Sequence, residues 1–138
     1  MHLNHTIVDS RDREVLASFL GELLGLPPPR SVGPFAIVQI DADLTFDFMD
    51  AEGEVRPQHY AFLVTEAEFD EIFSRIRARG LAFRADPQRS EPGRINTWDD
   101  GRGVYFDDKF TAPVVQGRCE VTCVPFRFDR ELSPGDEK

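Results

Sequence analysis

Cysteine is scarce: the 138 residues hold two, Cys119 and Cys123. They lie in an apolar stretch that reads as a strand, where four steps of about 3.3 Å separate them by roughly 13 Å. That exceeds the roughly 7 Å a disulfide can bridge, and no C-x-x-C spacing is present, so the pair reads as buried free thiols rather than a metal or redox centre. Long apolar runs are also missing, which argues against a bilayer-spanning helix. The start, Met1-His2-Leu3-Asn4-His5, has no basic region leading into an apolar one, and the expected location is the cytoplasm. Basic residues are outnumbered, with 16 Lys and Arg against 25 Asp and Glu, for a net charge of −9. A field of that sign repels phosphate backbones and anionic lipid, which argues against nucleic-acid and membrane partners.

What the chain does have is core-forming material and a repeat. Hydrophobic residues make up 41% and 12 residues are Phe, enough for one compact domain. Leu3 to Val8 reads as a strand, and Asp9 or Ser10 can cap a helix whose apolar residues Val15, Leu16, Phe19, Leu20, Leu23 and Leu24 recur with helical spacing up to Gly25. Pro27-Pro28-Pro29 is a rigid connector, and Phe35 to Ile40 and Leu44 to Phe48 read as two further strands. From Gln58 the order restarts, with a strand from His59 to Val64, Thr65 as cap, a helix marked by Phe69, Ile72, Phe73 and Ile76, and Gly80 at its end. Asn4-His5 matches Gln58-His59, an offset of 54 residues (59 − 5), and Gly25-Leu26 matches Gly80-Leu81. A weaker echo links Leu44–Phe48 to Gly103–Asp107.

A repeat of this size cannot shield both faces of its own sheet. One face takes the module's helix, and the other is left to line a shared concavity. Strand alternation puts His5 on the face of Leu3 and Ile7, and His59 on the face of Ala61 and Leu63. A lone strand histidine is more often structural than a ligand, but two at matching points of a duplication point to a shared polar site near a pseudo-twofold axis. His2, at the terminus and without a counterpart, reads as a surface residue. Two neutral imidazoles and a carboxylate would leave open positions on a divalent ion such as Fe, Mn, Ni, Co or Zn.

Four segments together, Leu3–Val8, Phe19–Leu26, His59–Val64 and Gly101–Asp107, resemble the vicinal oxygen chelate superfamily, which includes glyoxalases, bleomycin-resistance proteins and extradiol dioxygenases. The resemblance covers about the first 107 residues. It implies an α+β fold of two paired βαβββ modules, about 1–52 and about 57–126 with a polar tail at 127–138, forming a curved mixed sheet around a central cavity with the helices outside. It also implies a divalent metal held by His, His and Glu, often across a domain-swapped homodimer, with His5 and His59 as the first two ligands. At the third ligand the chain departs from the pattern: an ungapped reading puts Val115 there, and an insertion is needed to bring Glu120 into place. Glu120 then lies three residues past Gly117 rather than four, and a one-residue slip turns a strand side chain to the other face unless a bulge restores it. A solvent-facing carboxylate on an edge strand is the alternative reading of Glu120.

With the three ligands assembled, the metal would act as a Lewis acid on vicinal oxygens of a small substrate. Phe46, Phe48 and Trp98 are candidate pocket walls, and the Tyr105 hydroxyl could orient an oxygen or relay a proton. The rival reading is a metal-free protein that sequesters an antibiotic-like, planar or cationic molecule. A third is a dimerisation module that has lost its chemistry.

Overall fold

The computed structural model describes residues 1–55, 58–86, 88, 90–107 and 117–123. Val115 and the polar tail at 127–138 lie outside the described residues. The first module runs β1 (His5–Ser10), α1 (Arg13–Leu24), β2 (Arg30–Val32), β3 (Phe35–Gln39) and β4 (Thr45–Asp50). The second repeats it as β5 (Gln58–Leu63), α2 (Glu66–Ala78), β6 (Phe83–Arg84), β7 (Arg102–Asp107) and β8 (Gly117–Cys123). A short 3₁₀ turn, Trp98–Asp100, precedes β7. The fold is α+β, two βαβββ modules whose strands form four-stranded mixed sheets in the orders β1-β4-β3-β2 and β5-β8-β7-β6. In each sheet the first and last strands of the module lie side by side in parallel.

Caps set the helix ends. The expected cap at Asp9 or Ser10 is displaced, because β1 continues to Ser10, whose buried hydroxyl donates to the Met49 carbonyl at 3.0 Å. Asp12 caps α1 instead, accepting from the Glu14 and Val15 amides. At the other end Gly25 adopts φ 72°, and the Leu26 amide closes back on the Gly21 carbonyl at 2.8 Å. Thr65 and Glu68 form a reciprocal capping box on α2. Arg102 on β7 anchors the same helix: it pairs with Asp70 and Glu66 and lies over the Phe69 ring. Chiefly through its hydrogen bond to Asp70, its pKa is raised further above the ordinary arginine value.

Each helix covers one face of its sheet. Val8, Ala36, Val38, Phe46 and Phe48 meet Ala17, Phe19, Leu20 and Leu23, while Val104, Phe106 and Val121 meet Phe69, Ile72 and Ile76 in the same core. The modules join along this helix side. The Arg75 guanidinium donates to the Leu23 carbonyl at 3.2 Å, Arg79 pairs with Glu22 at 2.8 Å, and the Phe46 ring packs on Tyr60 and Phe62 with centroids 4.8 and 5.8 Å away. Gly25 lies so close to Arg75 that a Cβ there would stand 2.9 Å from Nη1.

The fully buried Phe48 and the exposed Glu22 pair should separate in energy. Phe48→Ala is expected to lower unfolding free energy by about 3–5 kcal/mol, and Glu22→Ala by less than about 1 kcal/mol, both read from urea denaturation.

Candidate functional site

Alternation along β1 sends Val8 and Ser10 into the core and leaves His5, Ile7 and Asp9 exposed on the opposite face. On β4, Thr45 pairs in register with His5 and Asp47 with Ile7, and from β3 Gln39 pairs with Thr45 and Ile37 with Asp47. This open face therefore carries a histidine row and, two residues along, a carboxylate row flanked by Ile7 and Ile37. Thr45 Oγ1 donates to Asp47 Oδ1 at 2.8 Å. The His5 ring is fixed by its neighbour: Nδ1 lies 2.7 Å from Asn4 Oδ1. An amide oxygen only accepts, so Nδ1 is the donor in this contact and Nε2 is the ring nitrogen outside it.

The second module repeats the plan with a different finish. His59 is exposed on β5, and its ring meets the Tyr105 ring edge-on, centroids 5.9 Å apart. Tyr105 itself is buried, and its ring contacts Trp98 at 6.3 Å. The segment from Ser90 to Gly101 makes this arrangement. Asn96 exchanges backbone hydrogen bonds with Gly103 and donates its side-chain amide to the Ala85 carbonyl at 2.8 Å. A Cβ at position 103 would stand 2.7 Å from the Asn96 side chain, so a larger residue there would have to displace the amide that donates to the Ala85 carbonyl.

Of the residues singled out in the sequence, His59, Tyr105 and Trp98 come together. Glu120 occupies the β8 register position between Ala61 and Tyr105, two residues along from the pair of His59 with Arg118. Phe46 and Phe48 do not wall the site. They are 4% and 2% exposed, on the helix side of β4, because the polar Thr45 and Asp47 alternate with them and take the open face. The structure adds Asp47 and Asn4 to the surroundings of His5: alternation with Phe46 and Phe48 marks Asp47 in the sequence, and adjacency to His5 marks Asn4.

His5 and His59 lie on separate sheets, and among the described residues no group of three or more metal-ligating side chains gathers within the chain. Cavities of about 310 and 300 Å³ lie where the modules meet, Leu63 lining the first and Ile7 the second, and neither is lined by His5, His59 or Tyr105. Large apolar side chains are bare on the histidine faces: Ile7 is 51% exposed, Leu63 72% and Trp98 52%. Among the described residues no helix is long and apolar enough to cross a membrane.

The donor chemistry fits a divalent metal. A histidine whose Nδ1–H is held by an amide oxygen could offer Nε2 in the manner of metal-binding imidazoles, whose other nitrogen is similarly tied.

The chain matches no protein-family model and no curated protein. Solved structures do match. It is 52% identical to the oxidase ChaP-H1 over 91% of this chain and 97% of that one, with a TM-score of 0.84. It is 44% identical to the oxidase ChaP-H2, with 91% and 95% covered and a TM-score of 0.83. The fosfomycin resistance protein FosX from Listeria monocytogenes, solved with Mn(II) and sulfate, shares the fold at 23% identity, covering 91% of each chain with a TM-score of 0.62. Duplicated βαβββ modules with a histidine on the first strand of each, and this degree of likeness, establish that the chain belongs to the vicinal oxygen chelate superfamily.

Proposed function

We propose that this protein is a divalent-metal-dependent oxidase or dioxygenase-type enzyme acting on a small substrate with vicinal oxygens. The observation that carries the reading is His5, with Nδ1 tied to Asn4 and Nε2 left to bind. Its repeat counterpart His59 lies beside Tyr105. His5, His59 and Glu120 would hold the ion, and the bound ion would supply Lewis acidity toward the chelating oxygens. The chain's own residues do the rest. Asn4 orients the His5 ring, Tyr105 orients a substrate oxygen or exchanges a proton through its hydroxyl, and Trp98 offers an aromatic wall. The 52% identity to a protein named as an oxidase favours oxidative chemistry over isomerisation. The metal-free binding reading is disfavoured by the matched histidines, which a purely apolar cavity has no use for.

The site is read as shared between two copies. The helix-side seam turns both histidine faces outward, and their exposed Ile7, Leu63 and Trp98 offer apolar surface for a second chain to cover. In such a homodimer His5 of one chain would meet His59 and Glu120 of the other.

Elemental analysis of untagged protein should find one divalent ion per site, lost in His5→Ala, His59→Ala and Glu120→Ala; wild-type protein that takes up no Fe, Mn, Ni, Co or Zn would sink the enzyme reading. Mixing unfolded His5→Ala and His59→Ala chains and refolding them together should restore roughly one quarter of the wild-type metal content, because half the dimers are then hybrids with one intact site. No recovery would place the site within one chain. Asn4→Ala should release the His5 tautomer and weaken metal binding about 10- to 100-fold, the tautomer read by ¹⁵N NMR of the imidazole and the affinity by calorimetry.

A further inference from the structure

The parallel ladders of the two modules superimpose residue for residue. In the first, His5 pairs with Thr45 and, two residues along, Ile7 with Asp47. In the second, His59 pairs with Arg118 and, two residues along, Ala61 with Glu120. Asp47 thus holds in module one the place that Glu120 holds in module two, on the last strand of the module and diagonal to its histidine. The two positions differ in reach, since aspartate is one methylene shorter. They also differ in flanks: Asp47 is half-buried between Ile7 and Ile37, with one carboxylate oxygen accepting from Thr45 Oγ1 at 2.8 Å.

We propose that Asp47 is a substrate-contacting residue, which accepts a hydrogen bond from a hydroxyl of the ligand and so selects a phenolic or enolic O–H compound. The inference rests on the metal-site reading above. Thr45 occupies Oδ1 through its hydroxyl, which leaves Oδ2 for a donor on a bound molecule. The apolar side chains on either side lower the local dielectric, and a charge-assisted hydrogen bond made there is stronger than one made in water. In the two-copy site read above, Tyr105 and Trp98 of the second module would form the other wall, so that a flat hydroxylated ligand would be faced by aromatic rings on one side and by this acceptor on the other. An ether or a deoxy analogue leaves the Asp47 carboxylate desolvated without a donor, which is the basis of strong discrimination.

The test uses full-length protein, Mn(II) and 4-nitrocatechol as probe. Mn(II) affinity is read first by calorimetry and by quenching of the sole tryptophan, Trp98. Anaerobic 4-nitrocatechol binding is then followed by its visible spectrum, which reports ionisation of its hydroxyls. Asp47→Asn, an isosteric change, should keep Mn(II) affinity within about threefold and the melting temperature unchanged. It should weaken 4-nitrocatechol about tenfold or more and shift the bound-probe spectrum, as expected for loss of a hydrogen bond to a charged acceptor. Asp47→Glu should restore part of the probe affinity. Equal probe affinity and spectrum in wild type and Asp47→Asn overturn the proposal. So does loss of Mn(II) from Asp47→Asn to the extent seen in His5→Ala, which would make Asp47 a metal ligand. Wild-type protein that binds no Mn(II) overturns the parent reading and this one with it. Mn(II) bound without 4-nitrocatechol leaves the metal site standing and overturns the proposal alone.

Discussion

Each module has one helix for a sheet with two faces, and the rest of the molecule follows from that shortage. A helix of 12 or 13 residues covers a single face of a four-stranded sheet, and the apolar set Val8, Val38, Phe46 and Phe48 in one module, with Val104, Phe106 and Val121 in the other, fills that face. Strand alternation then commits every second residue to the uncovered side. His5, Ile7, Thr45 and Asp47 go there in module one, and His59, Leu63 and Tyr105 in module two. Site and core are thus two readings of the same strands.

The duplication has been finished differently in its halves. Module two adds a segment that pairs with β7 at Gly103 and brings Trp98 to Tyr105, and a Cβ at position 103 would stand 2.7 Å from the Asn96 side chain. Among the described residues nothing of the kind lies on the histidine face of module one, where short polar groups, Thr45 and Asp47, stand among Ile7 and Ile37. One wall is aromatic and the other is apolar with a carboxylate set in it. A site composed from both would grip two different sides of a ligand, which identical repeats could not do.

Much of this was legible in the sequence. The matched histidines, the order of elements, the Thr65 cap and the Gly25 stop all follow from periodicity and from residues with narrow conformational roles. Three features did not come through, each for a local reason. The strands Arg30–Val32 and Phe83–Arg84 are three and two residues long, too short for alternation to register, and their pairing partners decide them. The α1 cap moved from Asp9 or Ser10 to Asp12 because parallel pairing with β4 holds β1 extended to Ser10, a tertiary preference outweighing a local one. Phe46 and Phe48 were assigned to the pocket on their aromatic character, whereas their alternation with Thr45 and Asp47 marks them as core. Pattern carried more information there than residue type.

The seam between the modules decides where the chemistry can form. Phe46 meets Tyr60 and Phe62, and Arg75 meets the end of α1 at Leu23; these contacts join the modules through the sides opposite the histidines. Tyr60 and Phe62 flank Ala61 on β5, and His59 and Ala61 point away from them. Stronger packing along this seam turns His5 and His59 more firmly outward on separate sheets. Within a single chain, then, core burial and assembly of the histidines are opposed demands. In the homodimer proposed above, two copies would relieve the opposition: each would keep its seam while its bare apolar rows, Ile7 on one face and Leu63 on the other, gained cover, and the hydrophobic effect that builds the seam would also drive closure of the site.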